Sequence, residues 1–318
     1  MASNLELQAM RRAIALSAHG LGTTSPNPPV GCVILDAAGQ PIGEGYHARK
    51  GEAHAEGNAL LAAGPAAKGG TAVVTLEPCN HVGHAPACRQ LLIDAGIARV
   101  VVALIDPTSR GEGGVEELRK AGVSVETDVL AEEAMLVLGQ WRAALALSRP
   151  LLTWVYAETT EGRTGSLKRI PPARDLLLTA DAVLDADGHL DEATPRSHGP
   201  GMIRLPDNPL QFEHHELLKT LHAGGIRHLL LDGGPDFAAP FLADDLVDHL
   251  IAYLPDRGPS SHPQLDGQEL MMPDCFQLTG VSRIARYVKV SATRRDRREG
   301  GRPSPSSRSR SASGRGTM

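Results

Sequence analysis

His54, Cys79 and Cys88 restrict the fold of this chain of 318 residues more than any other feature, because the chemistry they suggest works only if all three side chains converge on one point. Zinc takes thiolates and neutral imidazole in a tetrahedron, and a site that activates water stops at three protein ligands and leaves the fourth corner open. One imidazole and two sulfurs meet that count. Glu56 stands two residues beyond the candidate histidine ligand, close enough to face a water in the open corner without taking the metal itself, as an acid–base carboxylate must. The plainer alternative is a helix-start histidine bound to backbone, a solvated glutamate and two unrelated thiols. Pro78 directly before Cys79, with a second cysteine after it, weighs against that reading.

Local patterns supply a scaffold on which the three could meet. Apolar spacing at Leu5, Met10, Ile14 and Leu16 predicts a helix over 5–19, ended by Gly20. Prolines at 26, 28 and 29 then require a stiff loop. Residues 30–36 and 41–47 flank Ala37-Ala-Gly-Gln40 and predict a β-hairpin, with His47 at its end facing Asn27 and His54. A helix over 53–63 places His54 and Glu56 in its first turn, where the N-terminal half-charge favours a carboxylate. A strand over 71–76 delivers Cys79, and Cys88 opens a helix over 89–95. If both sulfurs lie near helix starts, the dipoles offset part of their electron donation to a metal. A strand at 99–105, a helix at 115–121, a strand at 123–129 and a long helix at 131–147 complete an alternating, layered α/β unit. A boundary is expected at Ser148-Arg-Pro150.

Composition narrows the class of partner. Residues 1–292 carry 24 basic against 35 acidic side chains, a net charge of −11, and aromatics make up 3% of the chain. Such a body suits a small molecule better than nucleic acid, since duplex affinity rests on neutralising phosphates and single-strand affinity also on stacking. No apolar run approaches a membrane span. No charged-then-apolar stretch follows Met1, so the expected compartment is a reducing cytoplasm in which the four cysteines stay unpaired. Cys32, inside an apolar run, reads as a core residue, and Cys275 carries no signal. From Thr293 onward, Arg, Ser, Gly and Pro cannot bury a core, so 293–318 is expected to be a disordered tail.

An H-x-E followed by Pro-Cys and a second Cys is the signature of zinc nucleobase deaminases. Here eight residues separate the cysteines, in Glu77-Pro-Cys-Asn-His81-Val-Gly83-His-Ala-Pro86-Ala-Cys88. Together with Ser25-Pro-Asn27-Pro-Pro-Val-Gly31 and Gly43-Glu-Gly45-Tyr-His47, this resembles the bifunctional riboflavin-biosynthesis deaminase-reductases over most of residues 5–150. The resemblance implies an α/β chain: a cytidine-deaminase-like three-layer domain over 1–148, then a shortened dihydrofolate-reductase-like domain over 149–292. It implies Zn²⁺ on His54, Cys79 and Cys88, and Glu56 as proton shuttle. It also implies an aminopyrimidine carrying a ribosyl phosphate, held by Asn27, His47, His81, His84 and Asp106, and a homodimer.

The second half follows the same family unevenly. Leu151-Leu-Thr-Trp-Val-Tyr-Ala157 fits its first strand, Leu229-Leu-Leu-Asp232-Gly-Gly234 its glycine-rich turn, and 241–248 the helix and strand after it. Between Glu161 and Leu205 the segments that cradle NADPH and substrate in that family are not found, and 181–195 is at most a weak echo. Gly233 and Gly234 therefore stand either as NADPH-binding residues or as a tight strand-to-helix turn. Reductase and non-catalytic scaffold both remain open at this point. Near the first site, His84-Ala85 replaces a basic residue and threonine that would hold the phosphate, and Thr108 replaces an asparagine.

Overall fold

The computed structural model describes residues 1–81, 86–108, 113–158, 166–256 and 272–295. Helix α1 (Asn4–Ser17) begins with a reciprocal cap, in which the Ser3 hydroxyl accepts from the Glu6 N–H and the Glu6 carboxylate accepts from the Ser3 N–H. Strands β1 (Gly31–Leu35) and β2 (Pro41–Tyr46) form the predicted hairpin. Next come α2 (Ala55–Ala63), β3 (Thr71–Leu76), α3 (Cys88–Asp94), β4 (Arg99–Leu104), α4 (Gly114–Lys120), a three-residue β5 (Ser124–Glu126) and α5 (Ala131–Leu147). Among the described residues these strands make a sheet ordered β2-β1-β3-β4-β5. Its β3–β4–β5 portion is parallel, and β3 and β4 are nearly continuous runs of buried apolar residues, as strands covered on both faces must be.

Register explains how the helices lie so close to this sheet. Gly31 opposes Tyr46 while Cys32 opposes Gly45, so Gly31 and Gly45 face opposite sides. A Cβ on Gly31 would collide with the Ala13 carbonyl of α1, and one on Gly45 with the Ala55 carbonyl and the Ala59 N–H of α2. The glycines therefore let a helix rest on bare backbone on each face. One of those helices, α2, starts immediately after His54.

The second sheet is built from β6 (Leu151–Ala157), β7 (Ala182–Asp185), β8 (Leu190–Glu192), β9 (His228–Asp232), β10 (His249–Pro255), β11 (Phe276–Ile284) and β12 (Tyr287–Arg294). Among the described residues its order is β11-β12-β10-β6-β9-β7-β8, parallel through β10-β6-β9-β7. Helix α6 is Arg174–Thr179, α7 is His214–Ala223 and α8 is Pro235–Ala243. Leu152, Trp154 and Leu231 pack with Leu217, Leu221 and Phe241 of α7 and α8 on one face, while Val155 and Leu230 pack with Ile170 and Ala173 on the other. Arg149 opens this unit with a bidentate ion pair to Asp248, at 2.7 Å for both contacts.

Three expectations change. Residues 181–195 form a hairpin, with Ala182 and Leu184 completely buried on one face and Val183 on the other, so four residues suffice for an inner strand. The segment read as helix and strand over 241–248 is the end of α8 and a turn, the strand beginning at His249. Thr293 pairs with His249 and Arg294 ends β12, so the strand carries ordered chain past the composition change; residues 296–318 lie outside the described residues. No described helix is long and apolar enough to cross a membrane.

Candidate active site

His54 is the N-cap of α2, with extended backbone (φ −73°, ψ 167°), and its carbonyl accepts the Asn58 N–H at 3.1 Å. Because that conformation turns the side chain out of the helix, the imidazole reaches both sulfurs: its Nδ1 lies 3.3 Å from Cys88 Sγ and 3.7 Å from Cys79 Sγ. A tetrahedral zinc with ordinary Zn–N and Zn–S bonds sets its nitrogen and sulfur ligands about 3.6 Å apart. The observed separations bracket that value, and the three ligand atoms all lie within 4.8 Å of one another. Cys79 follows β3 and Cys88 is the first residue of α3, whose N–H donates to Cys79 Sγ at 3.2 Å. One helix start thus serves both sulfurs.

The charges fit the same picture. The Cys88 thiol, hydrogen bonded to Cys79, together with His54, holds Cys79 down at about 4, while Cys88 keeps its proton and is pushed well up. Metal binding would displace that shared proton. Glu56, in the first turn of α2, is 3% exposed. Burial pushes its carboxyl up to about 7 even though His54 draws it down, and the group hydrogen bonds with Cys88. A carboxyl that changes protonation near neutrality is suited to carry a proton both ways.

His47 lies one residue past β2 and is buried, its ring centroid 5.0 Å from that of His54. Its Nδ1 is 3.1 Å from the Ala53 carbonyl, which can only accept, so Nδ1 carries the hydrogen. Burial lowers its pKa, leaving Nε2 bare to accept the Asn27 amide N–H at 3.2 Å. The structure thus brings Asn27, His47, His54 and Glu56 into one neighbourhood with the two cysteines.

The remaining candidates are arranged differently. Asp106 is half-buried, and its Oδ1 accepts the Thr108 N–H at 2.8 Å, closing a turn. His81 is exposed, and His84 lies outside the described residues. Glu77 has a role that its place in the motif did not disclose. Buried at the end of β3, its carboxylate accepts the N–H groups of Val115 at 2.9 Å and Asp106 at 3.3 Å, fixing both ends of the 106–115 connection. The available signal was an acidic residue in an otherwise apolar strand end. Cys32 is fully buried in β1, where burial pushes its thiol up.

In the second sheet, Gly233 donates its N–H to the Val155 carbonyl at 3.3 Å and its carbonyl accepts Trp154 Nε1 at 2.9 Å. The Phe237 ring fills the space beside its Cα. The Asp232 carboxylate accepts the Leu167 N–H and the Ser166 hydroxyl. Gly234 caps α8, whose first residue, Pro235, has no N–H to offer, and Asp236 adds a carboxylate to that turn.

Residues 3–104 match the family described as the cytidine and deoxycytidylate deaminase zinc-binding region, and residues 167–255 match the RibD C-terminal domain. The riboflavin biosynthesis protein RibD of Aquifex aeolicus (strain VF5) is 30% identical in an alignment of 349 residues that covers 91% of this chain and 95% of that protein. The chain belongs to the RibD family. Its first sheet is the deaminase-type half of a RibD protein and its second the C-terminal half. A diaminohydroxyphosphoribosylamino-pyrimidine deaminase of Buchnera aphidicola subsp. Acyrthosiphon pisum is 52% identical over 126 residues, covering 39% of this chain and 85% of that enzyme. Among solved structures, Acinetobacter baumannii RibD superposes with a TM-score of 0.71 at 27% identity, covering 92% of this chain and 99% of that one.

Proposed function

We propose that residues 1–148 catalyse zinc-dependent hydrolytic deamination of an aminopyrimidine, with the diaminohydroxyphosphoribosylaminopyrimidine named for the Buchnera relative as substrate. The observation that carries the reading is the convergence of His54 Nδ1, Cys79 Sγ and Cys88 Sγ beside the buried Glu56. The donor set fits Zn²⁺: one imidazole nitrogen and two thiolates at tetrahedral spacing. Held by these three residues, zinc would supply the Lewis acidity that makes water nucleophilic near neutral pH.

The chain's own residues do the rest. Glu56 takes a proton from the attacking water and delivers it to a ring nitrogen as the carbon–oxygen bond forms. It then takes the remaining proton from the new hydroxyl and passes it to the departing amine, so that the carbonyl forms and ammonia leaves. Neutral His47, fixed by Ala53 and Asn27, keeps one edge of the site in a single tautomer. Asn27, His47, His81, His84 and Asp106 are proposed to orient the substrate, and His84 in place of a basic residue weakens the hold on its phosphate at neutral pH.

A reductive step is the alternative that the match of residues 167–255 to the RibD C-terminal domain leaves open, and the turn after β9 is where it would need a phosphate site. Both backbone polar groups of Gly233 are already bonded within the sheet, and the α8 start offers a proline and a carboxylate where a dinucleotide phosphate needs amides. The described residues around Gly233 and Gly234 do not fit NADPH, and no step through it is derived. The second half is proposed as a non-catalytic module, in a cytoplasmic homodimer acting on a small molecule rather than on nucleic acid. The test is to incubate purified protein with that pyrimidine, measure ammonia and identify the product by mass. Replacement of one amino group by oxygen, abolished by a zinc chelator and restored by zinc, is expected; no ammonia from zinc-loaded protein refutes the reading.

A further inference from the structure

The buried carboxylate of Asp181, between α6 and β7, has no part in the chemistry just described. It is 2% exposed. Its Oδ2 accepts the backbone N–H groups of Arg227 at 2.7 Å and His228 at 3.0 Å, and its Oδ1 lies 3.0 Å from Nε2 of the fully buried His198. The other ring nitrogen of His198 is 3.0 Å from the Ser197 hydroxyl. One side chain therefore ties together three separate stretches of the second half: its own neighbourhood at 178–181, the loop 197–202 and the turn 225–228.

Each of those stretches touches the deaminase half at a different place. The Leu178 and Ala180 carbonyls lie against Gly22, so closely that a Cβ there would collide with the first. Gly225 faces the Pro26 ring, which would be 3.4 Å from a Cβ at that glycine. The Met202 carbonyl accepts from Lys50 Nζ at 3.3 Å. All three landing points sit on two loops. One runs from Gly20 to Asn27 and carries the amide that holds His47; the other joins His47 to His54. Trp141 of α5 presses on the first loop from elsewhere, donating its indole N–H to the Pro26 carbonyl at 3.1 Å. A cavity of about 20 Å³, room for one water, is lined by Asn27 and Trp141 together with Asp181 and His228.

We infer that Asp181 is a positioning residue for deamination: by fixing these three stretches it makes the second half the rear wall of the site, setting where Asn27 and His47 stand. This rests on the deaminase reading above. It also gives the second half a part in the deamination. Loss of the carboxylate frees the loops while leaving the metal ligands at the start of α2, just after β3 and at the start of α3, where the first sheet and its helices hold them.

The test compares Asp181→Ala with Asp181→Asn in the full chain. The amide of asparagine can retain all three hydrogen bonds, its oxygen accepting both backbone N–H groups and its nitrogen donating to His198 Nε2 in the tautomer that turns its N–H to the Ser197 hydroxyl. The alanine variant is expected to raise deaminase KM by about tenfold with kcat within about twofold and zinc content unchanged, while the asparagine variant stays within about twofold of wild type. Hydrogen exchange supplies a readout independent of activity. In the alanine variant the amides of Asn27 and Glu52 should exchange faster, while those of β3 and β4 keep their protection. Unchanged KM and unchanged loop exchange overturn the inference, as does equal loosening of loops and sheet, which marks a general fold defect. If the alanine variant is not recovered folded, Lys50→Met, which removes the Met202 contact and keeps the apolar stem, is read the same way; unaltered KM and loop exchange there overturn it too. Wild-type protein that releases no ammonia defeats the deaminase reading instead, while the exchange arm still reports on Asp181.

Discussion

At the scale of single residues the site is a set of short-range constraints that sequence largely discloses. His54, Glu56, Cys79 and Cys88 were readable because zinc chemistry demands particular atom types at particular spacings, and the fold delivers Nδ1 and two sulfurs within 4.8 Å. Asp181 and His198 were not readable. Their meaning depends on burial and on partners in an irregular stretch, which no periodicity marks. Glu56 carries the clearest prediction: Glu56→Gln keeps volume and polarity but cannot shuttle a proton, so kcat should fall by about 10²–10⁴-fold. Zinc content measured on the same sample should not change. Near-normal turnover would remove Glu56 from the mechanism.

At the scale of elements, the hairpin and α2 behave as one part. The motif Gly43-Glu-Gly45 is explained by contact rather than by turn chemistry, because α2 lies on the strand where any side chain would intrude. Gly45→Ala should therefore push the His54 end of α2 outward, at a cost of about 1–3 kcal/mol for the forced shift. Thermal melts and zinc titration should record lower stability and weaker metal binding together; a fall in stability without a change in metal affinity would show that His54 is positioned independently of the strand. The longer elements α1, α5 and β3 were legible in the residue pattern, with ends shifted by no more than two residues, and β6 was legible from its likeness to the family's first strand. Strand β7 was not, because an inner strand of four residues, Ala182-Val-Leu-Asp185, is too short for its pattern to stand out from a loop.

For the whole molecule, the two halves keep the architecture of a RibD protein, and the second is proposed to be non-catalytic. The same deaminated product should form at the same rate with and without NADPH, and NADPH fluorescence should not change on titration with protein. A product reduced at the ribose would show that a dinucleotide binds by a route other than Gly233. Between the halves stands α5, which packs on β4 of one sheet and on β6 of the other, and whose Trp141 grips the Pro26 loop. The halves are thus joined by a strut instead of a tether. Turning one half against the other would break that packing and the Trp141 hydrogen bond, so the joint itself resists hinge motion.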